Sequence, residues 1–94
     1  MTLRERFEKS VKRWEERKKI KFNGAEMARV CNISRQTIND WKHGHTVEIK
    51  SKHLFAAAKY LNVNAKWLES GRGSIEPDKD NQKKGIYIHY SLSL

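Results

Sequence analysis

With 94 residues and 37% hydrophobic content, the chain has room for one domain with a small core, to which three Trp and three Phe add large buried area. Twenty Lys and Arg against eleven Asp and Glu give a net charge of +9, the electrostatic footprint of a nucleic-acid binder. The single cysteine excludes an intramolecular disulfide framework and suits a reducing cytosol, and no apolar run approaches the ~20 residues of a membrane span.

The first predicted element is an amphipathic helix. Thr2 with Glu5 makes an N-terminal capping box, and Leu3, Phe7, Val11 and Trp14 recur at three- and four-residue spacing as its apolar stripe. Glu5–Lys9 and Glu8–Lys12 are acid-before-base pairs at i,i+4, each supporting the helix by ~0.2–0.5 kcal/mol. The helix runs to about Lys19, and Ile20 and Phe22 turn the chain inward. The basic run Arg17 to Lys21 is open to two readings: contact with phosphates, or a solvated helix end whose cations complement the macrodipole. Residues 1–21 are basic but lack the continuous apolar run of a secretory signal.

Residues 23–44 read as two short helices joined by a tight turn. Asn23 is the N-cap of the first, with Glu26 as its capping-box partner; Met27, Ala28 and Val30 or Cys31 form a small apolar face. Asn32 tolerates positive φ and ends that helix, and Ile33 plugs the corner. Ser34 caps a second helix over Arg35 to Lys42, with Ile38 and Trp41 inward and Gly44 as its stop. A loop follows from His45 to Lys50, anchored by Val47 and Ile49. Ser51 or a near neighbour caps a fourth helix whose buried face is Leu54, Phe55, Ala57, Ala58 and Leu61. Asn62 terminates it, and Asn64 caps a fifth, with Trp67 and Leu68 inward and Gly71 as its stop.

Residues 72–85 are a polar connection with Gly, Pro and mixed charge, and read as a linker or exposed loop. The period then changes to two: Ile86, Ile88, Tyr90, Leu92 and Leu94 alternate with Tyr87, His89, Ser91 and Ser93, the pattern of a strand with one apolar face. A lone strand cannot satisfy its own hydrogen bonds, so pairing with the same strand of a second subunit is the economical solution. The start of a further domain in a longer parent protein, or a disordered or helix-packed tail, are the competing readings. Charge follows the same division. Residues 1–22 hold nine basic and four acidic side chains, while residues 76–94 hold three of each, which places the excess on the helical part.

The order Glu26–Met27–Ala28, Ile33–Ser34, Thr37–Ile38, Trp41 and Gly44 resembles the helix-turn-helix of the lambda-repressor-like, or xenobiotic-response-element, DNA-binding family. A second block, Ala58-Lys59-Tyr60-Leu61-Asn62-Val63 followed by Trp67-Leu68 and Gly71, is similar to that family's fourth and fifth helices, so the resemblance covers roughly residues 3–74. It implies an all-α, compact five-helix domain over residues 1–74; the linker, at 75–85, and the strand, at 86–94, lie beyond the resemblance and rest on composition and periodicity. The family docks the second motif helix with its N-terminal residues toward base edges in the major groove. Carried over by position, Arg35, Gln36, Thr37, Asn39 and Asp40 are the expected base contacts. Arg35 suits guanine O6 and N7, Gln36 and Asn39 suit adenine N6 and N7, and Asp40 either accepts from cytosine N4 or only orients Arg35 or a neighbouring base. Expected phosphate contacts are Asn23, Gly24, Ser34, Lys42, His43, His45 and Lys50. The family often carries a phosphate-binding glutamine at the start of the first motif helix; here that position is Gly24, and the usual turn glycine is Asn32.

Other chemistry has little support. His43-Gly44-His45 resembles a chelating pair but lacks further spaced ligands, so no metal and no cofactor are expected. Cys31 reads as a small buried apolar residue, and no Ser–His–Asp, Cys–His or paired-carboxylate constellation marks an enzyme. The expectation is a cytoplasmic, nucleoid-associated transcriptional regulator. It would be a bacterial or phage repressor that binds a palindromic operator in double-stranded DNA as a homodimer through Ile86, Ile88, Tyr90 and Leu92, with no membrane partner. The alternatives are an antitoxin, which binds a toxin protein as well as its own promoter, and a charge-driven nonspecific nucleic-acid binder.

Overall fold

The computed structural model describes residues 1–77. Five helices follow one another: α1 (Leu3–Lys18), α2 (Gly24–Cys31), α3 (Arg35–His43), α4 (Ser51–Leu61) and α5 (Ala65–Ser70). There is no strand among the described residues; the expected strand at 86–94 lies outside them, as does the expected linker beyond residue 77.

Local chemistry sets the helix ends. Thr2 Oγ1 accepts the Glu5 N–H at 3.2 Å, and Glu5 Oε1 accepts the Thr2 N–H at 2.8 Å. That backbone donor holds the Glu5 carboxyl below its ordinary range. Asn23 caps α2 alone, its Oδ1 accepting from Ala25 and Glu26 at 2.9 and 3.2 Å; the reciprocal bond expected from Glu26 is not made. Asn32 and Asn62, at φ 56° and 57°, end α2 and α4 in the left-handed region, as their small polar side chains allow. Asn64 caps α5 by accepting from Lys66 N at 2.9 Å. At α4 the N-cap position is Lys50, with no side-chain bond, and Ser51 is already helical. The expected charge pairs on α1 differ as well: Glu5 is taken up by the cap, and Glu8 pairs with Arg4 at 3.2 Å.

The core lies where all five helices converge. Phe7, Met27, Trp41, Leu61 and Leu68 are almost completely enclosed. Phe22 stands edge-on to Phe7 and Trp14 at 6.1 and 5.5 Å between centroids, and Trp14 stacks on Tyr60 at 5.9 Å. Phe22 thereby joins α1 to the start of α2. Two apolar residues lie elsewhere than expected, and one open choice is settled. Phe55 is 72% exposed, because the inward face of α4 is Leu54, Ala57, Ala58 and Leu61, and position 55 lies a step of about 100° from Leu54. Val47 is 86% exposed at the tip of its loop, which Ile49 anchors unaided. Val30 also faces outward, and Cys31 takes the half-buried place beside α4, its Sγ donating to the Ala56 carbonyl at 3.5 Å. Burial pushes the Cys31 thiol up from its ordinary pKa.

Two polar residues join the inward face of α1 and were not anticipated. Arg6 is only 5% exposed, and it donates from Nε to Leu68 O (2.8 Å), from Nη2 to Glu69 O (3.0 Å) and from Nη1 to Met1 O (2.5 Å). Leu68 and Glu69 belong to the last turn of α5, whose carbonyls have no partner within the helix. The planar guanidinium therefore caps α5 from another helix, and burial lowers its pKa without discharging it. Ser10, fully buried, returns its hydroxyl to Arg6 O at 2.8 Å. Beyond α5 the chain stays tied to the body: Ile75 packs on the core, its carbonyl accepts the Asn64 N–H at 2.9 Å, and Glu76 pairs with Arg13.

Arg6→Ala leaves three carbonyls without their charged donor and should lower the unfolding free energy by about 3 kcal/mol in urea titration. Arg6→Lys should recover less than half of that loss, since an ammonium cannot span the three acceptors; full recovery would mean that charge alone matters. Because burial disfavours the thiolate, iodoacetamide should alkylate Cys31 more slowly in the native chain than in urea at the same pH, and equal rates would contradict its shielding.

Candidate nucleic-acid interface

At nine residues α3 is too short to persist alone in water, so its position depends on the body beneath it. Ile38 and Trp41 supply the attachment, each 2% exposed. The Trp41 ring meets Phe7 of α1 at 6.0 Å and His53 of α4 at 6.4 Å. Ser34 caps the helix, its Oγ accepting the Thr37 N–H at 3.1 Å and sharing a 2.7 Å bond with Thr37 Oγ1. Gly44 ends it at φ 75°, where a Cβ would stand 3.4 Å from Arg4 Cδ. With Ile38 and Trp41 inward, the helical period sends Arg35, Gln36, Asn39, Lys42 and His43 into solvent, and Thr37 and Asp40 are half-buried at the margin.

Some of these side chains are already ordered by one another. Gln36 Nε2 donates to Asp40 Oδ1 at 2.9 Å, and His45 Nδ1 lies 3.5 Å from the same oxygen. His43 Nδ1 is 3.0 Å from Asn39 O; a carbonyl only accepts, so that nitrogen carries the proton. The His43 and His45 rings stack at 5.8 Å. Among the described residues no three His, Cys, Asp or Glu side chains gather as a metal would require.

A groove of about 430 Å³ runs between the start of α2 and the face of α3, lined by Lys21, Asn23, Gly24, Ala25, Arg35 and Lys42 among others. Three cations and no carboxylate line it, next to a helix N-terminus, so its electrostatics favour negative charge. Asn23 Oδ1 already holds the Ala25 N–H, while the Gly24 N–H has no partner among the described residues. A Cβ at Gly24 would make ordinary contacts of 3.7 Å to Ile38 and 3.9 Å to Phe22, so the glycine is not required by crowding. Lys21 belongs to this groove and was visible in the sequence only as one member of a basic run. On the opposite flank of α3, Ser34, Thr37, Asp40, Lys50, Lys52 and His53 line a second depression. Ser34 is engaged in its cap there, and Lys52 had no distinguishing signal in the sequence. Lys42, His43, His45 and Lys50 are exposed around the rim. The expected dimerisation residues Ile86, Ile88, Tyr90 and Leu92 lie outside the described residues.

No helix among the described residues is long and apolar enough to cross a membrane. Comparison with curated proteins and with solved structures returned no match. A family model described as helix-turn-helix does match, over residues 15–68, from the second half of α1 to Leu68 in α5. That is more than half of the chain, and it includes the capped turn, the two motif helices and the α4 that supports them. The chain therefore belongs to the lambda-repressor and Cro-like helix-turn-helix family of DNA-binding transcription regulators.

Proposed function

We propose that this chain is a sequence-specific repressor of bacterial or phage type that grips a palindromic operator as a homodimer. One observation carries the reading: α3 is fixed by Ile38 and Trp41 and turns Arg35, Gln36 and Asn39 outward together, between flanks that bear Lys21, Lys42 and Lys50. In this reading those three side chains read base edges in the major groove, with Thr37 at the edge of the set and Asp40 beside them as an orienting group. The Gly24 N–H beside Asn23, together with Ser34, Lys42, His43, His45 and Lys50, meets the phosphates, and Lys21 joins them. Residues 1–74 form the DNA-binding domain with Ile75 and Glu76 held against it, and the linker is the part of 75–85 that follows them. Ile86, Ile88, Tyr90 and Leu92 pair across a two-fold axis and set the two α3 helices ~34 Å apart. The protein works in the cytoplasm on nucleoid DNA, by binding, with no catalytic step and no cofactor.

A second reading, that of an antitoxin with a protein partner, is favoured by one feature. Phe55 stands exposed beside a groove of about 640 Å³ lined by Leu54, Ala58, Val63, Ala65 and Pro77, on a part of the surface that α3 does not use. A toxin gene next to this one, and a stable complex of the two products, would favour it.

The main reading is tested with an operator selected from a random DNA pool. Gln36→Ala should weaken operator binding by ~1–3 kcal/mol and leave random DNA nearly unchanged. Lys42→Ala should weaken both alike and reduce the salt slope by about 1. Equal losses for Gln36→Ala on both DNAs, or none on either, would contradict base reading by α3.

A further inference from the structure

Asp40 is out of character with its surroundings. It is a carboxylate at the edge of a surface that carries Arg35, Lys42 and two histidines, where a negative charge lowers affinity for every DNA sequence. Its Oδ1 is committed within the protein: Gln36 Nε2 donates to it at 2.9 Å, and His45 Nδ1 lies 3.5 Å away. The backbone supports the arrangement, because His45 N–H donates to Asp40 O at 2.9 Å and so returns the loop to this turn of α3.

The chemistry of a primary amide says what such a bond does. The amide offers a carbonyl, an N–H beside it and an N–H pointing away from it. A bidentate contact with adenine uses the carbonyl and the adjacent N–H, to N6–H and N7. The remaining N–H is the one available to an acceptor within the protein. Asp40 lies one helical turn toward the C-terminus of α3, so it draws the Gln36 nitrogen that way and leaves the carbonyl oxygen free of this bond. An untethered glutamine amide rotates between two orientations and offers donor and acceptor in either order.

We propose that Asp40 is a positioning residue that determines specificity: it fixes the donor–acceptor order of Gln36 and thereby narrows the base step Gln36 accepts. The inference rests on the reading of α3 proposed above. The simpler account is an i,i+4 pair that only steadies a short helix. The two differ in what changes when the carboxylate is removed.

The test measures binding of the operator and of each of its single-base variants by the wild type, Gln36→Ala, Asp40→Ala, Asp40→Asn and the Gln36→Ala/Asp40→Ala double variant, each confirmed folded by circular dichroism. Asp40→Ala should reduce discrimination by about tenfold at the same base pairs that Gln36→Ala relaxes. It should have no further effect on discrimination in the Gln36→Ala background. Asp40→Asn retains an acceptor oxygen and should keep most of the discrimination, and neither Asp40 variant should bind random DNA more weakly. Relaxation at a different base pair would make Asp40 a direct reader, and an equal loss on every duplex would make it a helix stabiliser; either overturns the proposal. If Gln36→Ala itself relaxes no base pair, the reading of α3 fails and takes this proposal with it, an outcome distinct from those two.

Discussion

Ile38 and Trp41 are what make the outer face of α3 a defined surface. Nine residues do not sustain a helix in water, so the helix exists because these two side chains enter the core. Burial of a large apolar side chain contributes about 1.5–3 kcal/mol, a substantial part of the stability of so small a body. Trp41 reaches both Phe7 and His53, which ties α3 to α1 and α4 at once. Phe7 in turn is met by Phe22, and the neighbouring Arg6 closes the far end of the body by capping α5. The first helix is thus the beam that carries α3 on one side and the final helix on the other.

Position and charge then follow from the helical period. Fixing two residues three apart as inward leaves Arg35, Gln36 and Asn39 outward, and the cations converge on the flanks because Lys21 ends the basic run just before the Asn23 cap. In the proposed reading those flanks supply attraction that any DNA sequence satisfies, whereas selectivity requires side chains held in one orientation. The bond between Gln36 and Asp40 provides such restraint before DNA arrives.

Most of the helix ends were legible in the sequence. The caps at Thr2, Asn23, Ser34 and Asn64, and the left-handed stops at Asn32, Gly44, Asn62 and Gly71, depend on side-chain oxygens and backbone sterics that the local sequence contains. Inward Ile38, Trp41, Trp67 and Leu68 were legible from periodicity. Features decided by a distant neighbour were not. Arg6 falls on the inward face of α1 by spacing, but its polarity hid it, because two of its three acceptors lie more than sixty residues away. Phe55 shows the reverse: hydrophobicity suggested burial, yet among the described residues no other helix covers that side of α4. In the interface, exposed Arg35 and Gln36 were foreseeable, whereas Lys21 could be told from its basic neighbours only once the groove was formed, and the Gln36–Asp40 bond only once side-chain orientation was known.

The most direct test of the account is a nitrogen-15 NMR titration of the whole chain with the duplex selected from a random pool. The account predicts that the largest amide shifts fall on residues 34–43 and on Gly24, and that the Gln36 side-chain amide moves strongly on the selected duplex and weakly on a scrambled one. Shifts gathered instead around Phe55, Lys59 and Lys66 on α4 and α5, with the Gln36 side chain unmoved, would contradict it.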